Sequence, residues 1–199
     1  MQSTFWTYLL LGKDHIMDWT AYDHMLFLIA LTALFTVKHW RQVLLLATGF
    51  TIGHSVTLVL AGLDLIRFPM DVVEMLIPVT IILTGIYNLR RGPIMLEERL
   101  GLNHYVMATG FGLIHGMGFS NFLRSALMPG QENELVIQLL SFNLGIEVGQ
   151  IIVVAGILLL SWLILDQFGL SRRLWNVALS GLAIVVAAYL LWDKLPWSL

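Results

Sequence analysis

Long apolar stretches joined by short connections are the feature that most constrains this chain. Reading from charge to charge, six such stretches appear, at residues 21–37, 40–63, 69–89, 104–124, 135–165 and 174–192. A helix needs about 20 apolar residues to cross a bilayer. Only 12% of the residues are charged and 58% are hydrophobic, which leaves too little polar surface to cover a water-soluble globule. The sequence predicts an all-α polytopic membrane helix bundle with about six transmembrane helices.

The same pattern predicts a single integral membrane domain over residues 1–199, with the six-span bundle at 21–193. Residues 2–11 are apolar and aromatic, but this stretch is too short to span and lacks the flanks of a signal peptide. We therefore expect segment 1–20 to form a short interfacial helix. The glycines that surround His115 also weaken span four and predict a helix break just after that residue.

Composition excludes several kinds of site and partner. The chain has no cysteine, so a metal ion would be held by histidine, carboxylate or amide groups. Its net charge is -2, without a run of Lys or Arg residues, and we expect no nucleic-acid partner. The expected partners are the lipid bilayer and a metal ion, and a homo-oligomer is compatible with the sequence.

The distribution of Lys and Arg residues predicts the orientation. With six spans, one side holds four of these residues, at 13, 67, 124 and 194, and the other side holds seven. Because the cytoplasmic side carries the excess of basic loop residues, both termini are predicted to lie outside the cytoplasm. The expected location is the inner membrane of a bacterium, with multiple crossings.

Ionisable residues inside the spans are the candidates for function, since each is costly in lipid unless it is paired or hydrated. Six residues away from the outermost positions of the spans are the candidates: Asp23, His24, His54, Glu74, His115 and Glu147. Counting about 1.5 Å per residue from the span ends places His54, His115 and Glu147 in the middle third of the bilayer. The other three fall in its outer third. The shared depth predicts one common polar site.

Each of these residues also has a purely structural interpretation. An intramembrane His can hydrogen-bond a neighbouring helix, and Glu147 can be protonated and bonded to a carbonyl group. Asp23 can serve as a helix N-cap. Glu74 can stabilise the N-terminus of its helix by interacting with the helix dipole. The residues around them argue for the common site, because Asn143, Glu147 and Gln150 form one polar stripe at i, i+4 and i+7.

Imidazole and carboxylate together suit Ni²⁺, Co²⁺, Zn²⁺ or Fe²⁺. The predicted metal-binding residues are His15, His24, His54, His115, Asp23 and Glu147. We expect further residues to support these ligands or to line the path to them: Glu74, Thr51, Ser55, Asn121, Asn143 and Gln150. His15, about two turns upstream of Asp23, is expected at the outer surface.

Five segments of the sequence resemble the HupE/UreJ family of small bacterial membrane proteins. They are YDHMLFL at 22–28 (preceded by His15), FTIGHSVTL at 50–58, VEMLIP at 73–78, FGLIHGMGF at 111–119 and FNLGIEVGQ at 142–150. The histidine followed by Asp23-His24 is similar to the pattern of nickel/cobalt permeases, which have four or five residues between the His and the Asp-His pair. Here seven residues intervene, which leaves open whether His15 joins His24 around one ion.

The resemblance implies nickel or cobalt supply to hydrogenase and urease, by passage of a divalent metal ion across the inner membrane. Two alternatives remain open. Three His and two carboxylates near Ser55 could form an intramembrane zinc-type hydrolase that cleaves a lipid amide or ester. The protein could also be an assembly or delivery subunit that binds metal without transporting it. If the protein transports the ion, it is a permease and not an enzyme.

Overall fold

The computed structural model describes residues 2–19, 23–95, 98, 100–126 and 134–195, without the side chains of residues 2–3 and 120–126. The regular secondary structure of this part of the chain is helical and includes no strand, which confirms the predicted fold class. Its α-helices are α1 Gln2–Met17, α2 Asp23–Thr32, α3 Trp40–Gly62, α4 Met70–Arg91, α5 Leu102–Ala126, α6 Leu135–Ser161 and α7 Arg172–Asp193. A 3-10 turn at Val37–His39 precedes α3, and a π-helical turn at Trp162–Gln167 extends α6.

The sequence predicted about six transmembrane helices, and this number is wrong if each must be one long apolar helix. Four helices of the described chain are long and apolar enough to cross a membrane: Val37–Gly62, Met70–Arg91, Leu135–Gln167 and Arg172–Asp193. Helix α2 has 10 residues and is about 15 Å long at about 1.5 Å per residue, so it cannot cross alone. Helix α5 has 25 residues, but glycines and histidines interrupt its apolar sequence.

Helix α1 packs into the bundle, where the sequence predicted an interfacial helix apart from a bundle at 21–193. It lies against α6 so closely that a Cβ atom added to Gly145 would approach the Leu9 carbonyl oxygen to 2.1 Å. A Cβ atom on Gly12 would meet the Phe142 carbonyl oxygen at 2.0 Å. These small residues permit backbone-to-backbone contact, and this contact makes α1 part of the helical core.

Helices α1 and α2 traverse the bundle one after the other. Thr4 Oγ1 donates to Glu134 Oε2 at 3.0 Å just before α6 begins, whereas Ile16 lies against Gly149 in the middle of α6. Helix α1 therefore runs from the end of the bundle where α6 begins to its middle. We call this end the Glu74 end, since α4 also begins there, and the opposite end the Arg91 end.

Helix α2 continues from the middle to the Arg91 end, where the Ala30 carbonyl oxygen accepts a hydrogen bond from Asn88 Nδ2 at 2.6 Å. Together with α3 to α7, this interrupted pair takes the chain through the bundle six times. Lys194 Nζ contacts Glu74 Oε2 at 2.6 Å, so the last helix ends where the first begins. Both ends of the described chain thus lie on one side of the bundle.

Glycines also join α3 to α5. A Cβ atom on Gly53 would come within 2.1 Å of the Thr109 carbonyl oxygen, and one on Gly112 would come within 2.1 Å of the Phe50 carbonyl oxygen. Helix α5 continues without a break from Leu102 to Ala126, so the break predicted after His115 is wrong. Contact with α3 supports the glycine-rich segment, because packing outweighs low helix propensity.

We predict that Gly145→Ala destabilises the protein, because the added methyl group would displace α1 from α6. Overpacking of this kind costs about 1–3 kcal/mol and should lower the midpoint of thermal unfolding in detergent. Gly156→Ala is the matched control in the same helix, since nothing lies within 4 Å of its added Cβ atom. That variant should be neutral or slightly more stable because alanine favours helix. Equal midpoints for the two variants would contradict this packing.

Candidate metal centre

Five side chains from four helices meet in the middle of the bundle. His15 lies at the end of α1, Asp23 and His24 begin α2, His54 lies within α3, and His115 lies within α5. Two groups of three offer ligand atoms within 4.8 Å of one another, namely His15, His24 and His54, and Asp23, His24 and His115. We call these five residues the metal centre.

His24 is the central residue of the metal centre and belongs to both groups. Its ring centroid lies 4.6 Å from that of His15, 5.7 Å from that of His54 and 5.2 Å from that of His115. The predicted placement of His24 in the outer third is therefore wrong. Helix α2 begins deep in the bundle because α1 occupies the outer half of this crossing.

Asp23 orients the His24 ring and sets its tautomer. Asp23 Oδ1 lies 3.0 Å from His24 Nδ1, and a carboxylate can only accept hydrogen bonds. His24 therefore carries its proton on Nδ1 and presents the lone pair of Nε2, which has no hydrogen-bond partner among the described residues. A carboxylate that supports a histidine in this way is typical of metal-binding sites.

Thr80 on α4 has the corresponding role for His115. The Thr80 hydroxyl donates to the Ile77 carbonyl oxygen at 2.7 Å, so it accepts from His115 Nε2, which lies 3.1 Å away. His115 then presents the lone pair of Nδ1, an atom that is buried and unpartnered in the described structure. Sequence reasoning missed Thr80, although Thr80, Thr84 and Asn88 follow one another at four-residue intervals, which was a usable signal.

The remaining two histidines have unsatisfied nitrogens. His54 is fully buried, and the described residues offer no hydrogen bond to its Nδ1 or Nε2 atom, or to Nε2 of His15. A buried polar atom without a partner costs about 1–3 kcal/mol, so such atoms are rare in native proteins. A metal ion would satisfy several of them at once, and the donor set therefore fits a divalent cation.

Helix termini at the centre are also compatible with a cation. His15 stands in the last turn of α1, where the helix carries a partial negative charge. The first turn of α2 has the opposite partial charge, and Asp23 offsets it from within that turn.

A cavity of about 890 Å³ leads from the Glu74 end of the bundle to the metal centre. Four carboxylates line it, those of Asp14, Asp18, Asp23 and Glu74, and no Lys or Arg is among its described lining residues. Glu74 also accepts a hydrogen bond from Lys194 at 2.6 Å, which raises the pKa of Lys194. Sequence reasoning did not single out Asp14 and Asp18, because nothing in the sequence brings them beside His24.

The structure places the other predicted residues outside this group. Glu147 accepts a hydrogen bond from Thr48 at 2.6 Å, and Gln150 accepts one from Thr51 at 2.8 Å, both between α3 and α6. The hydroxyl group of Ser55 and the amide nitrogen of Asn143 donate to carbonyl oxygens of their own helices. The side chain of Asn121 lies outside the described part of the chain.

The fold and the centre define a polytopic helical membrane protein with a histidine-rich group inside the bundle that could hold a metal ion. The chain belongs to the HupE/UreJ family, whose model, described as HupE / UreJ protein, matches residues 1–193. The family resemblance read from the motifs is thus confirmed. Among curated proteins and solved structures, none matches the chain.

We predict that Thr80→Val weakens divalent-metal binding by about 10- to 100-fold, because His115 loses the acceptor that orients its ring. Isothermal titration of the purified protein with Co²⁺ measures the effect. Thr57→Val is the control, since Thr57 is also buried but bonds the backbone oxygen of His54 at 3.0 Å and no imidazole nitrogen. An unchanged affinity in Thr80→Val would contradict the assigned role.

Proposed function

We propose that the protein transports a divalent metal ion of the nickel/cobalt type across the inner membrane of a bacterium. One observation carries this proposal: a cavity lined by four carboxylates leads to four histidines in the middle of the bundle. Intramembrane ionisable groups that face a hydrated cavity mark ion pathways. The ion is the substrate, and the metal centre is its binding site along the route.

The ligand set restricts the class of ion. Four imidazoles and one carboxylate favour Ni²⁺, Co²⁺, Zn²⁺ or Fe²⁺ over Mg²⁺ and Ca²⁺, which prefer oxygen ligands. His24 takes part in both groups of ligands, so its single free nitrogen serves whichever position the ion occupies. Family membership favours nickel and cobalt within this class.

The direction of transport follows from the cavity and from the basic residues. The cavity opens at the Glu74 end, which holds fewer Lys and Arg residues and is therefore predicted to face outward. Access from the outside through the acidic cavity, followed by release at the Arg91 end, corresponds to uptake into the cell.

Uptake into proteoliposomes tests the proposal. Wild-type protein should accumulate Ni²⁺ or Co²⁺, whereas His24→Ala should reduce uptake to the level of empty vesicles because both ligand groups lose their shared member. His39→Gln is the control, since His39 is also buried but bonds Thr36 and Met95 instead of the centre. Metal analysis of the purified variants should show loss of the ion in His24→Ala alone.

Tight metal binding without accumulation of the ion inside the vesicles would overturn the transport proposal.

The size of the cavity favours a hydrolase as the second candidate, because about 890 Å³ lies within the usual range of small-molecule sites, about 300–1,000 Å³. In that case the Zn²⁺-loaded protein should release fatty acid from a fluorescent lipid amide, and His24→Ala should not.

The carboxylates of the cavity should accelerate capture of the ion. We predict that Asp14→Asn combined with Asp18→Asn lowers the initial uptake rate at low salt by about 10-fold. The deficit should shrink near 1 M salt, where the screening length falls to about 3 Å. Asp71→Asn is the control, because Asp71 is exposed in the first turn of α4 and does not line the cavity. A deficit that is independent of salt would argue against electrostatic attraction.

A further inference from the structure

A row of buried polar side chains continues from the metal centre toward the Arg91 end. Thr80, Thr84 and Asn88 occupy one face of α4 at four-residue spacing, and each is at most 7% exposed. Thr80 contacts His115 at 3.1 Å, and Thr84 donates to the Thr80 carbonyl oxygen at 2.8 Å. We call these three residues the polar row. It faces α2, since Asn88 donates to Ala30 at 2.6 Å.

A second, small cavity lies along the far part of the polar row. Its volume is about 40 Å³, and Thr84, Asn88, Tyr87 and His104 supply its polar lining. The Tyr87 hydroxyl and His104 Nε2 lie 2.8 Å apart, close to the start of α5. Because a single water needs only about 10–15 Å³ of such volume, the cavity has room for about three waters.

An aromatic layer lies between the metal centre and this cavity. Phe27 and Phe50 stack with ring centroids 4.7 Å apart, and Phe111 meets Phe27 edge-on at 6.2 Å. Both Phe27 and Phe50 also contact the His115 ring, at 5.2 Å and 5.1 Å. Phe27 lines the small cavity as well, so its ring has the metal centre on one side and the polar row's cavity on the other.

We propose that the metal ion leaves the centre along the polar row and that the Phe27 ring is the gate on this route. The proposal rests on the transport function above and names the path of release. The Phe27 ring closes this route in the part of the chain that the structure describes, whereas the large cavity reaches the metal centre from the Glu74 end.

The position of Phe27 in α2 couples the gate to the ligands. Phe27 lies four residues after Asp23 and three after His24, so these residues share one face of the helix. The whole helix has 10 residues. A shift of His24 toward or away from the ion therefore moves the Phe27 ring with it, because the segment between them is a single helical turn.

Phe27→Ala tests the gate in proteoliposomes that contain a fluorescent indicator of Co²⁺. Removal of the ring should raise the initial rate of Co²⁺ influx by about tenfold or more and make it less saturable. Phe142→Ala is the matched control, since Phe142 is also fully buried and its ring lies 5.9 Å from that of His15, but on α6, away from the polar row. This control should keep the wild-type rate.

A second substitution tests the route itself. In the Phe27→Ala background, Thr84→Val removes the hydroxyl group at nearly constant shape and should lower the influx by about fivefold. Thr57→Val, which removes a buried hydroxyl on α3, should leave the influx unchanged. Phe27→Leu, which retains more side-chain volume, should give an intermediate rate, and it replaces Phe27→Ala if that variant does not fold.

The outcomes separate the gate from the transport function. A wild-type rate in Phe27→Ala or Phe27→Leu protein that still binds metal would overturn the gate, as would an equal increase in Phe142→Ala. An influx insensitive to Thr84→Val would overturn the polar row as the route. If wild-type protein accumulates no metal while Phe27→Ala admits it through a Thr84-dependent path, the gate stands and the transport function fails.

Discussion

The arrangement of the bundle depends on holding four imidazoles and a carboxylate away from lipid. Nitrogens of His15, His24, His54 and His115 are buried without a hydrogen-bond partner among the described residues, and each would be costly if it faced lipid. The hydrogen-bonded nitrogens of His24 and His115 have fixed acceptors in Asp23 and Thr80. The centre therefore combines rings of defined orientation with two overlapping groups of three ligands, each close enough together to hold a divalent cation.

Two features of the helices bring these groups together. The first is the interrupted crossing of α1 and α2, which delivers His15, Asp23 and His24 to mid-depth from helix ends. In a continuous helix the backbone groups at this depth would be hydrogen-bonded within the helix. Helix ends at the same depth also contribute partial charges. The second is glycine-mediated contact of α1 with α6 and of α3 with α5. Close backbone packing brings His54 and His115 near the ends of the two short helices.

Reasoning from sequence identified the residues with metal-binding chemistry better than it identified their depth. His54 and His115 were assigned to the middle of the bilayer because long apolar runs extend on both sides of them. The same counting placed His24 too far out, since it assumed that every span begins at the membrane surface. Glu147 illustrates the opposite error: its depth agrees with that of His54, but Thr48 binds its carboxylate and the metal centre does not include it. Depth is one coordinate, and the rotation of each helix decides which neighbours a side chain meets.

The sequence by itself determined that the chain is a helical membrane protein, which family it belongs to and which few ionisable residues its apolar helices contain. These conclusions follow from composition, from the lengths of apolar runs and from local motifs, none of which depends on how helices pack. Only the tertiary structure decided that His15 joins His24, that Thr80 orients His115, that Asp14 and Asp18 line the approach and that the Phe27 ring contacts His115. Each of these is a contact between residues on different helices, or across the interrupted crossing, and depends on helix rotation and crossing geometry, which the linear pattern of a sequence does not encode.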